Sequence, residues 1–126
     1  MIVVATDAPV DADALQRIAR RAPYAIGRVG GFSSHGSGDY VIAFSTAPEL
    51  RVPYQIDAPT FTRMTLRGEA LGPLFLAVIE ATEEAILSSL FRATTVSGWQ
   101  GTTEALPMER VRDLLDRAGR IGPPNP

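Results

Sequence analysis

Gly36-Ser37-Gly38-Asp39 is the stretch of this chain best suited to chemistry. A hydroxyl and a carboxylate stand two residues apart. If the strand that follows starts at Gly38 or earlier, alternate positions put both on one side. A carboxylate so placed accepts a proton or orients a donor. The flanking glycines permit unusual backbone angles and the close approach of another group. Gly, Ser and Asp are also ordinary turn residues, so spacing alone leaves both readings open. The run is not a phosphate loop: it lacks Gly-Lys-Ser/Thr, and a strand follows it rather than a helix. His35 is the only histidine, hence the one base open to a Ser-His-Asp triad. It is equally well read as a solvated loop residue. One histidine and no cysteine argue against a zinc site. No cofactor is implied. The absence of lysine removes any Schiff-base lysine or lysine general base.

The elements that must hold these residues follow from periodicity. Ile2 to Thr6 is a β-branched apolar run ending at Asp7-Ala8-Pro9. It reads as a strand apolar on both faces, buried between layers. Asp11 or Asp13 is placed to cap a helix with Leu15, Ile18, Ala19 and Ala22 on one side. Pro23 must kink or end that helix near Ala22, with the pattern resuming to about Arg28. Residues 30 to 38 form a Gly/Ser loop, and Tyr40 to Ser45 a second strand. Residues 47 to 60 hold Pro48, Pro53 and Pro59 and read as a long excursion toward a partner. Phe61 to Leu66 is a short strand or the approach to a helix. The strongest helix spans about Gly68 to Ala93, with Pro73 tolerated near its start. Its stripe of Glu80, Glu83 and Glu84 reads as a solvated face. Residues 94 to 106 read as a polar loop. A last helix opens at Pro107 and stops near Gly119. The domain is taken as residues 1–121, with 122–126 a disordered tail.

Two strands do not make a satisfactory sheet. The missing strands are expected from another chain, another copy or an upstream segment. The abrupt start on Ile2 points the same way, since most domains begin with a polar leader.

Composition narrows the class. The chain has 126 residues, 45% apolar and 21% charged, as in one ordinary globular domain. A net charge of -2 without a basic stripe speaks against nucleic acid. No apolar run approaches the roughly 18 residues of a membrane span. Asp7 precedes any Arg, so no signal-peptide n-region is present, and a cytoplasmic location is expected.

Several segments together resemble one family. They are Ile2-Val3-Val4-Ala5-Thr6-Asp7-Ala8-Pro9, then Leu15 with Ile18-Ala19-Arg20-Arg21-Ala22, then Gly36-Ser37-Gly38-Asp39-Tyr40 with Ala43-Phe44-Ser45-Thr46. Ala81-Thr82-Glu83-Glu84-Ala85-Ile86-Leu87 and Glu104-Ala105-Leu106-Pro107 continue the likeness in order. Together they resemble the DmpA-like peptidases, which are L-aminopeptidase/D-esterases and β-peptidyl aminopeptidases. The resemblance covers nearly the whole chain but only the C-terminal part of a family precursor.

It implies an α/β (α+β) chain, the β part of an αββα sandwich laid out like N-terminal nucleophile hydrolases. Family precursors cut themselves into a larger α part and a smaller β part. The cut frees a Ser or Thr at the β N-terminus. That residue is the nucleophile, and its own α-amino group helps accept the proton. By motif position, Ser37 and Asp39 match the serine and the acidic residue that support the nucleophile. Some members carry Glu at the acidic place, so Asp39 reaches less far. The nucleophile is expected one or two residues before Met1 and is absent from this chain. Members often show Asn before the Leu of the long helix, where this chain has Ser88-Ser89-Leu90.

The expected activity is release of N-terminal residues from peptides, amides or esters. The expected partner is an α part of the same precursor or a homologous chain, within a homo- or hetero-oligomer. The alternative is a catalytically inactive relative serving as a binding or self-assembly module. A hydrolase acting alone through His35 is the third reading.

Overall fold

A computed structural model describes residues 1–55 and 57–121. The first strand, β1, is Ile2–Thr6, and the second, β2, is Val41–Ser45. They pair in parallel, Ile2 opposite Val41 and Thr6 opposite Ser45. A parallel pair needs a crossover. Two helices supply it, α1 (Ala12–Ala19) and α2 (Ala22–Arg28).

Local chemistry sets where each helix starts and stops. Of the two capping candidates, Asp11 is the N-cap: its Oδ1 accepts from Ala14 N–H at 2.9 Å. Asp13 lies in the first turn, where a negative charge suits the helix dipole. The break expected at Pro23 falls at Arg20-Arg21. A proline ring clashes with the carbonyl four residues back, here Ala19, which is the last residue of α1. Pro23 itself sits harmlessly in the first turn of α2. The end of α2 is a Schellman motif. Gly31 N–H donates to Ile26 O at 2.8 Å and Gly30 N–H to Gly27 O at 3.2 Å. Gly30 takes the left-handed conformation this needs, at φ 94°.

A single 3-10 turn, Gly68–Leu71, leads into the long helix α3, Gly72–Arg92, with Pro73 in its first turn. Phe61 to Leu66 forms no strand. Its residues are exposed until Leu66, whose N–H donates to Pro9 O at 2.8 Å. Between 47 and 60, the short 3-10 piece Pro48–Leu50 is the regular structure among the described residues. The proposed tail, 122–126, lies outside the described residues.

The chain divides into two compact units, Met1–Glu84 and Ala85–Pro126. The first holds the core: Val10, Ala14, Ile18, Ala22, Leu71 and Val78 are buried together. Leu74, Phe75 and Ile79 of α3 pack on it, as do Ile2, Val4 and Val41 from one face of the sheet. Arg21 lies 3.6 Å from the centroid of the Phe75 ring, so its charge covers the aromatic face. Glu83 is paired with Arg28 at 2.9 Å, while Glu80 and Glu84 are exposed, as a solvated stripe requires.

The other sheet face is bare. Val3 is 61%, Ile42 55% and Phe44 44% exposed. The strands are therefore apolar on both faces, as their sequence suggests, but covered on one.

In the second unit, residues 94 to 106 are not merely a loop. Val96–Gly98 (β3) and Gly101–Thr103 (β4) form an antiparallel hairpin with Trp99-Gln100 at its tip. Ser97 and Thr102 share a cross-strand hydroxyl hydrogen bond of 2.8 Å. The last helix, α4, is Met108–Arg117 and closes at Gly119 by the same capping pattern as α2.

Burial predicts unequal sensitivities. Leu71→Ala is expected to destabilise by about 2–5 kcal/mol through lost burial and a cavity. Glu83→Gln, which removes a partly exposed ion pair, is expected to cost under about 1 kcal/mol. Urea unfolding of the two variants measures the difference, and equal midpoints would contradict this core.

Candidate active site

The site is built on the connection between α2 and β2. The Schellman end of α2 fixes where that connection leaves the helix. Ile2 N–H donates to Tyr40 O at 2.8 Å, fixing where it joins the sheet. The candidate residues lie between these two anchors.

Ser34 to Ser37 form a tight turn closed by Ser37 N–H donating to Ser34 O at 2.9 Å. Gly36 is its third residue, at φ 91°. A type II turn demands that angle there, and an L side chain resists it. The turn fixes the direction of Ser37. Ser37 Oγ and Ser34 Oγ lie 3.4 Å apart, and either can donate. Asp39 has a different partner: Ser33 Oγ donates to its Oδ2 at 3.2 Å. Ser33 has φ 48°, the one non-glycine residue with positive φ among those described.

Ser37 and Asp39 thus line one depression of about 260 Å³ with Ile26, Gly30 to Ser34 and no charge of opposite sign. They do not bond to each other. The hydroxyl–carboxylate cluster anticipated from their spacing is two pairs, and each pair draws in an upstream serine. Ser33 and Ser34 carry the part that sequence reasoning missed. The available signal was their position, just before a Gly-Ser-Gly-Asp run with which short side chains can bond locally. His35 lies on the outer corner of the turn, exposed and away from the depression. No Ser-His contact of the kind a triad needs occurs among the described residues, in line with the solvated-loop reading of His35.

Position along the sheet adds one relation. The parallel register is constant from Ile2 opposite Val41 to Thr6 opposite Ser45. Continued backward, it sets Met1 beside Tyr40 and the position before Met1 beside Asp39. Asp39 therefore lies two residues before Val41, the partner of the first residue of β1.

The fold is shared with serine aminopeptidases of known structure. The structure superposes with TM-score 0.82 on the L-aminopeptidase D-Ala-esterase/amidase of Ochrobactrum anthropi, described as a prototype of the serine aminopeptidases and a variant of the Ntn hydrolase fold. The two are 35% identical over 96% of this chain and 34% of that one. A protein of Pyrococcus horikoshii OT3 gives a TM-score of 0.83 at 38% identity, with 95% and 34% covered. Beta-peptidyl aminopeptidase BapA of Sphingosinicella microcystinivorans is 38% identical over 122 residues, 96% of this chain. The model of peptidase family S58 matches residues 1–104. The chain belongs to peptidase family S58, the DmpA-like peptidases, and it spans 30% of the length of that BapA.

The turn geometry is open to test. Gly36→Ala forces a side chain into the left-handed region, at a cost of about 1–2 kcal/mol. Faster amide hydrogen exchange at Ser37 is expected, because the closing bond of the turn weakens. Unchanged exchange would mean that Gly36 does not set the turn.

Proposed function

We propose that this chain is the β part of a self-processing serine-type aminopeptidase that releases N-terminal residues from peptides, amides or esters. One observation carries the reading. The β1–β2 register, continued by two residues beyond Ile2 and Val41, brings the position before Met1 level with Asp39, two residues after Ser37. A Ser or Thr there would stand at the head of a strand with its hydroxyl next to a carboxylate and a second hydroxyl. Family membership supports the same assignment.

The chemistry follows from those groups. The nucleophile's hydroxyl oxygen attacks the carbonyl carbon of the substrate's first residue. Its proton passes to its own α-amino group, which is free once the precursor is cut. That proton then goes to the departing amine as the C–N bond breaks, leaving an acyl ester on the nucleophile. Water hydrolyses the ester. Ser37 and Asp39 orient the hydroxyl and hold the developing ammonium by charge and hydrogen bonding. Donors to the oxyanion come from the α part.

The α part also answers a packing need. A parallel sheet is normally covered on both faces. Val3, Ile42 and Phe44 lie exposed on one face, and a second sheet over them would complete an αββα sandwich.

Restoration tests the reading. An α part is co-expressed with this chain carrying Ser before Met1, and hydrolysis of aminoacyl p-nitroanilides is followed. Turnover is expected. Ser37→Ala and Asp39→Asn are each expected to lower kcat by about 100-fold, the scale of lost general acid–base support. A correctly assembled pair without turnover would sink the enzyme reading and favour an inert assembly module.

A further inference from the structure

We propose that Ser33 is a positioning residue for the reaction, holding the Asp39 carboxylate by a hydrogen bond from a deliberately strained backbone. The inference rests on the aminopeptidase reading above and adds a residue to it.

Three observations converge on Ser33. Its Oγ donates to Asp39 Oδ2 at 3.2 Å, across six positions of chain. It adopts φ 48°, a conformation that serine seldom takes and that glycine or asparagine would take more easily. Both groups line the depression that also holds Ser37. Strain of this kind persists only where surrounding structure imposes it, and it collects at functional sites.

The chemistry of the acidic position explains why such a contact is useful. Aspartate has one methylene fewer than glutamate and reaches less far from the backbone. Its carboxylate is exposed and has no cation beside it among the described residues. Without a second anchor the side chain samples its rotamers freely. The Ser33 hydroxyl occupies one carboxylate oxygen, Oδ2. It leaves Oδ1 for a group at the head of β1. Left-handed geometry at Ser33 is what turns its short side chain back across the loop, toward Asp39.

A backbone role and a hydroxyl role predict opposite outcomes. Were Ser33 only a turn residue, Ser33→Gly would ease the backbone and leave activity intact. As a positioning residue, Ser33→Gly and Ser33→Ala both lower kcat of the restored pair, by roughly 10- to 100-fold, the scale of a misplaced reacting group. KM stays within about two-fold, because the carboxylate does not anchor the substrate's remote parts. Ser33→Asn, which tolerates the left-handed region and retains a donor, recovers much of the loss. On an Asp39→Asn background, Ser33→Ala adds little. Full activity in Ser33→Gly, or an Ser33→Ala effect undiminished in the Asp39→Asn background, would overturn the proposal.

A pair without turnover even with Ser33 intact would defeat the aminopeptidase reading instead. The contact is then decided on the chain itself, through the Asp39 χ1 rotamer from three-bond NMR couplings. A single rotamer is expected with Ser33 and averaging in Ser33→Ala. Identical couplings in both would overturn the contact.

Discussion

The parallel pairing of β1 with β2 is the constraint on which the rest of the first unit depends. Neighbouring parallel strands cannot be joined by a tight turn, so the chain must climb back along the sheet. Here α1 and α2 make that return, and the core of Val10, Ala14, Ile18 and Ala22 is the surface they bury in making it. Burying several such side chains is worth about 1.5–3 kcal/mol each for the larger ones, an upper estimate against an extended chain. A hydroxyl and a backbone amide hold the far end of the pair. Ser45 Oγ donates to Ala8 O at 2.6 Å, and Thr46 N–H donates to Thr6 O at 2.8 Å. At the near end the connection from α2 has to arrive beside the start of β1. The position of Ser37 and Asp39 is thus a consequence of strand direction before it is a matter of side-chain chemistry.

The same pairing explains what the unit lacks. Each strand alternates its side chains between faces. One set meets α1 and α3, and the other set, equally apolar, is largely exposed among the described residues. A strand with polar residues on its second face would have no such need. The apolar outer face therefore encodes a layered architecture in the strands themselves, and the relatives, of which this chain covers about a third, are built on that scale.

Legibility in the sequence tracked how local the determining physics is. The strands, the Pro23 break and the Gly119 stop depend on a residue and its near neighbours, and each is placed within a residue or two. The β3–β4 hairpin was not legible, because Val96-Ser97-Gly98 is too short for a periodic signal and its Trp99-Gln100 tip is not a common turn pair. For Phe61 to Leu66 the second of its two readings holds: it is the approach to a helix, joined to Pro9 by a backbone bond and to the core through Leu66. Ser37 and Asp39 could be named from residue type and from family likeness. Their hydrogen-bond partners had only a positional signal, since Ser33 has a positive φ that no residue-type preference for serine foretells.

Loops hold reactive groups less tightly than strands or helices do. This one compensates at both ends and in the middle. A Schellman cap clamps its departure from α2, and the Ile2–Tyr40 bond clamps its arrival at the sheet. Between them, the Gly36 turn fixes Ser37, and Ser33 reaches over to Asp39. Every one of these restraints is a hydrogen bond or a backbone angle, not a buried side chain. On the proposed function that suits a surface that an α part would cover, because the groups are oriented without filling the space a partner or substrate needs. It also means that the loop's geometry rests on a few contacts worth about 0.5–1.5 kcal/mol each. Covering it would exclude water and strengthen each of them. On the proposed function, an exposed loop of this construction is better organised after assembly than before, which would tie the chemistry proposed for Ser37 and Asp39 to the completion of the sheet beside them.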